Sequence, residues 1–114
     1  MNLFAQYRKE REGVDCIRTD KGCIFYKIEF PVCIIHDYFV LPEYRRGGHG
    51  FFLADQVFQI CKEADVESVY CQTDDRAHGV DVSRLTILKF GFQEYKKEGP
   101  VTTYKMGVKE WARY

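Results

Sequence analysis

The chain has 114 residues, enough for one domain, and with 46% hydrophobic and 16% aromatic residues it has the material for a packed core, which excludes a disordered segment. Lys plus Arg and Asp plus Glu each number 17, so the formal net charge is zero and any basic character is local, which argues against a dedicated nucleic-acid binder. Five cysteines (Cys16, Cys23, Cys33, Cys61 and Cys71) make an odd set with no C-x-x-C pair and no Cys/His spacing suited to zinc, so they read as reduced thiols, and no metal is expected.

The opening MNLFAQYRKEREG lacks an apolar leader core, and no window approaches 18 uninterrupted apolar residues. A cytoplasmic chain without a membrane partner is expected. Phe4 to Glu12 predicts a short charged helix stopped by Gly13. The β-rich runs VDCIRT and CIFYKIEF, separated by Asp20-Lys21-Gly22, predict a hairpin. After Pro31 the run VCIIHDYFVL is nearly all apolar and predicts a central strand covered on both faces. Then comes EYRRGGHG, three glycines and two arginines in eight residues. Beyond it, Phe52, Leu53, Val57, Ile60, Cys61 and Ala64 recur at helical spacing and predict an amphipathic helix over Gly50 to Ala64. ESVYCQT reads as a strand, DDRAHGVD as a polar loop, and VSRLTILKFG as a second helix closed by Gly91. FQEYKKE and VTTYKMGV, around the Gly99-Pro100 turn, predict an antiparallel hairpin, and the tail KEWARY carries no pattern. With no repeat, linker or low-complexity segment, residues 1–114 are expected to form a single domain of the α/β (α+β) class.

A strand running through a glycine-rich loop into a helix collects backbone N–H groups at the positive end of the helix, an arrangement suited to a phosphate or pyrophosphate. Glycine is needed there because a Cβ would hold an anion off the backbone and because some positions require positive φ. The loop is neither G-x-G-x-x-G nor G-x-x-x-x-G-K-[ST]. It is Arg45-x-x-Gly48-x-Gly50, preceded by VLPEY and followed by FFL. This resembles the coenzyme A pyrophosphate loop of the Gcn5-related N-acetyltransferase (GNAT) family, with Val40, Pro42, Arg45, Gly48, Gly50 and Leu53 in register. LKFGF at Leu88 to Phe92 resembles the "k-x-GF" that follows the family's last helix.

The resemblance implies a mixed central sheet with splayed central strands, flanked by helices, and acetyl-CoA as cofactor. Main-chain groups of Tyr38, Phe39 and Val40 would hold the pantetheine arm, and the loop residues Arg45, Arg46, Gly47, Gly48, His49 and Gly50 the pyrophosphate. An amine would attack the thioester, with a strand N–H polarising its carbonyl. For the base the candidates are Asp37 or His36; strand alternation sends them to opposite faces, and a carboxylate in so apolar a run is costly without a role. The tyrosine that many members use as acid falls at Ile87, and two further family positions hold Val80 and Ser83. Cys71 as a nucleophile is disfavoured because a buried thiol is inert. His49 reads as a rim residue, and Asp74, Asp75 and His78 as a solvated cluster able to meet the acceptor.

The family's opening strand and two helices have little room in this chain, which leaves the acceptor side open. The implied partner is a bulky amine acceptor such as a protein lysine or N-terminus, and an open sheet also suits a homodimer. A compact viral or mobile-element protein is compatible with this. The competing reading is a catalytically inactive GNAT-like scaffold, suggested by Ile87 and Val80.

Overall fold

The computed structural model describes Leu3, Gln6, Lys9 and residues 13–112. The expected helix Phe4 to Glu12 lies outside the described residues except for Gln6 and Lys9, which are helical. Its stop is in place: Gly13 has φ 70° and donates its N–H to the Lys9 carbonyl at 2.9 Å.

The hairpin is formed by β1 (Asp15–Arg18) and β2 (Gly22–Glu29), antiparallel, with Thr19 shaping the turn by accepting the N–H groups of Lys21 and Gly22 at 3.1 and 3.2 Å. Gly22 is required by space, since a Cβ there would sit 2.3 Å from the Phe39 carbonyl oxygen on the next strand. That strand, β3 (Val32–Val40), leads through a 3₁₀ turn, Pro42–Tyr44, into α1 (His49–Glu63). There follow β4 (Ser68–Asp74), α2 (Val80–Phe90), β5 (Gln93–Glu98), β6 (Val101–Gly107) and α3 (Val108–Trp111). The six strands form one mixed sheet in the order β1-β2-β3-β4-β6-β5, in which β3 and β4 are parallel and every other neighbouring pair is antiparallel. The expected α/β class, the element order from the first hairpin onward and the final hairpin are present.

The core lies between one face of the sheet and the helices. The apolar stripe of α1, Leu53, Val57, Phe58 and Cys61, is wholly buried against Ile24, Cys33, Val40, Val69, Cys71, Tyr104 and Met106. Phe58 meets Phe90, Phe92 and Trp111 with ring centroids 5.3 to 5.7 Å apart, tying α1 to α2 and α3. The tail thus has a place that its composition did not signal: Trp111 packs on Phe58 and donates its indole N–H to Asp55 at 2.8 Å.

The expectation that β3 is covered on both faces is corrected. Cys33 and Val40 are buried, but His36 and Asp37 are exposed and Phe39 is 48% exposed. The described helices α1 to α3 pack on the opposite face, and among the described residues the buried cluster on the Phe39 side is the small one of Val14 and Phe25. Among the described residues no helix is long and apolar enough to cross a membrane.

Candidate active site

β3 and β4 begin as a parallel pair, Val32 with Ser68, Cys33 with Val69 and Ile34 with Tyr70, and then part. Past Ile34, β3 continues for six residues paired only with β2, and past Tyr70, β4 continues to Asp74 paired only with β6. The two central strands therefore open a V whose facing edges carry backbone groups with no cross-strand partner. Such edges are the surface on which an extended ligand adds as a strand would.

At the end of the β3 arm stands the N-terminus of α1. Its N-cap is Gly48, φ 81°, with no side-chain cap. Among the described residues nothing accepts the N–H groups of Arg46, Gly48, His49 or Gly50, whereas Gly47 donates to the Tyr44 carbonyl at 3.2 Å. A Cβ on Gly48 would meet no atom within 4 Å, so the loop borders open space at this residue. The first turn of α1 holds no acidic residue, and the exposed Arg46 adds a positive charge. A groove of 350 Å³ runs beside the loop, lined by Lys21, Glu43, Tyr44, Arg46, Gly47 and His49.

Two side chains hold this geometry. Arg45 donates from Nε to the Val40 carbonyl at 2.9 Å, with its guanidinium 5.5 Å from the Phe39 ring centroid, pinning the 3₁₀ turn to the strand end. His49 contacts the Thr19 hydroxyl through Nε2 at 2.7 Å and stacks on Phe52 at 5.4 Å, so the loop is also tied to the β1–β2 turn. Thr19 was missed in the sequence, because its partner lies 30 residues away.

A sequence model of the acetyltransferase (GNAT) family matches residues 7–80. The chain belongs to the GNAT family. A search of curated proteins returned no significant match. Among solved structures, the PaiA N-acetyltransferase of Thermoplasma acidophilum in complex with coenzyme A superposes with a TM-score of 0.74 at 18% identity, covering 92% of this chain and 68% of that one. A GNAT acetyltransferase of Staphylococcus aureus Mu50 gives 0.71 at 19% identity, with 95% and 80% covered. The ribosomal-protein-S18-alanine N-acetyltransferase of Escherichia coli gives 0.66 at 10% identity, with 95% and 77% covered. At these identities the likeness is one of fold, and the fold is that of the GNAT acetyltransferases.

Several candidate residues of this GNAT chain are not where alternation placed them. A bulge interrupts β3, where Phe25 pairs with Asp37, Tyr26 pairs with Ile35, and His36 is skipped. His36 and Asp37 are therefore not sent to opposite faces by simple alternation, and both are exposed. Nor is Asp37 a buried carboxylate in need of a partner, because its Oδ1 accepts the Tyr38 N–H at 2.8 Å on the surface. Cys71 is enclosed, and burial pushes its thiol up to about 12, which keeps it protonated and inert. None of the five cysteines forms a disulfide, and Cys33, Cys61 and Cys71 are buried.

On α2, Val80, Ser83 and Ile87 are half-buried, and Ile87 packs on the core. The polar cluster after β4 resolves into ion pairs. Asp74 is gripped by Arg76 through Nε and Nη2 at 2.9 and 2.7 Å, while Asp75 takes Arg84 at 2.7 Å and Lys97 at 3.0 Å. Arg84 also reaches the buried Tyr104 hydroxyl at 3.2 Å, which lies 3.1 Å from Thr73 Oγ1. His78 is exposed outside this network.

Proposed function

We propose that the chain is an acetyl-CoA-dependent N-acetyltransferase acting on an amine carried by a protein, as a lysine or an N-terminus, or by another bulky acceptor. The observation that carries this reading is the parting of β3 and β4 beside the start of α1, whose N-cap Gly48 offers no side-chain cap to the helix amides. Open strand edges suit an amide-bearing arm, and four amides at a helix N-terminus suit a pyrophosphate. The coenzyme A in the Thermoplasma acidophilum structure supports the cofactor, and the Escherichia coli enzyme, named for a ribosomal protein, supports a protein acceptor.

Bound acetyl-CoA supplies an activated acetyl thioester. The N–H groups of Arg46, Gly48, His49 and Gly50 hold its pyrophosphate. Tyr38 and Phe39 face its arm, but the Val40 carbonyl is already engaged by Arg45. The Tyr38 N–H, the donor at the bulge that would polarise the thioester carbonyl, is masked by the carboxylate of Asp37. Engagement of Tyr38 turns that carboxylate away and frees it to take the proton of the incoming amine. His36, at the bulge itself, is the alternative base. With Ile87 at the usual acid position, solvent protonates the leaving thiolate.

The inactive scaffold remains the second reading, favoured by Ile87 and by the occupied Tyr38 N–H. Thiol release from acetyl-CoA, followed by mass spectrometry of an amine-bearing peptide, separates the two. The enzyme reading expects release coupled to a peptide heavier by one acetyl group, with Asp37→Asn slowing turnover by about 10²- to 10⁴-fold. A folded chain that releases no thiol above the uncatalysed rate with any amine would leave the scaffold.

A further inference from the structure

The sheet face that α1, α2 and α3 leave open has a charge pattern of its own. Ile34, Tyr70, Lys105 and Gln93 are paired in turn across β3, β4, β6 and β5, so they form one row on this face at the point where the central strands part. Lys105 Nζ lies 5.7 Å from the Tyr70 ring centroid and 5.5 Å from that of Tyr95, and the two rings meet edge to face at 5.6 Å. The other cations of this face on β2 to β6 have acidic partners, Lys27 with Glu29 and Lys96 with Glu98. Among the described residues Lys105 has no ion pair. Its rings hold it in place without cancelling its charge.

On the far side of the parting, Asp37 shares this face through its pairing with Phe25. Asp37 and Lys105 are separated by about 10 Å along β3 and about 10 Å across two strand spacings. The face thus presents a fixed negative group and a fixed positive group, with an aromatic floor beside the latter. The complement is a chain that carries a positive group at one end and a negative group about four extended residues away.

We propose that Lys105, braced by Tyr70 and Tyr95, selects acidic acceptors: extended peptides whose reactive amine is followed within about four residues by Asp or Glu. This rests on the acetyltransferase reading and adds the chemistry of the acceptor. Lys105 reads the carboxylate, the tyrosine rings support the intervening side chains, and the amine is drawn toward Asp37.

The test measures kcat/KM for three peptides that share the reactive amine and differ only in carrying Glu, Gln or Lys at the fourth residue, using the wild type, Lys105→Arg and Lys105→Glu. Acetyl-CoA affinity is measured calorimetrically on each variant. The wild type is expected to prefer the Glu peptide over the Lys peptide by about fivefold to tenfold, a preference that falls as salt rises. Lys105→Arg should keep this order and Lys105→Glu reverse it, with acetyl-CoA affinity unchanged in both. Equal rates for the three peptides in a protein that binds acetyl-CoA would overturn the acceptor assignment alone. Failure to bind acetyl-CoA or to acetylate any peptide would overturn the acetyltransferase reading and the acceptor assignment with it.

Discussion

Arg45 is held by contacts within the chain at the entrance to the glycine-rich loop. Its Nε is committed to the Val40 carbonyl and its plane to Phe39, so much of its contribution is to fix the turn from which the open amides project. A lysine keeps the charge but has no Nε and no planar fork for these contacts. Arg45→Lys is therefore expected to lower coenzyme A affinity nearly as much as Arg45→Ala, and the loss should change little between low and high ionic strength. An affinity in Arg45→Lys equal to the wild type at low salt, decaying with salt, would instead assign Arg45 to direct charge attraction. Gly48 acts through the backbone. At φ 81° a β-branched residue costs about 1 to 3 kcal/mol, and Val has no polar group with which to offset the strain.

At the scale of elements, the strands, both main helices and the final hairpin could be read from the sequence because each carries its own period or turn residues. The loop was equally plain, since R-x-x-G-x-G is local. What escaped the reading was non-local. The bulge at His36 depends on the register of β3 against β2, which an apolar run does not specify, and it put both candidate bases on the surface. The Thr19–His49 contact, the seat of Trp111 and the Arg84–Tyr104 contact each join segments far apart in the chain.

The ion pairs after β4 have a consequence for pH. Hydrogen bonds from Arg76 hold Asp74 at about 2 against an ordinary 3.8, and Lys97, with Arg84, also lowers Asp75. Because the folded-state values lie below the unfolded ones, the stabilisation is complete above about pH 4 and is lost as pH falls toward 2. Thermal unfolding followed across that range should show a falling midpoint, with a shallower fall in Asp74→Asn. Identical slopes would mean that the pairs do not contribute.

For the whole molecule, the sheet divides the work between its two faces. The helix-covered face holds the core and fixes the start of α1 over the parted strands. The open face carries Asp37, Tyr70 and Lys105 and is free to receive something large. In the proposed reading, the parting is where a cofactor bound beside α1 would meet an acceptor lying on the open face. Central to this account is that the backbone of the loop, more than any catalytic side chain, binds the cofactor. Calorimetric titration of the wild type and of Gly48→Val with acetyl-CoA tests that claim most directly. Micromolar binding by the wild type, lost by at least about tenfold in a Gly48→Val variant that still unfolds cooperatively, is the predicted result. Equal affinity in the two proteins, or no binding by the wild type, would contradict it.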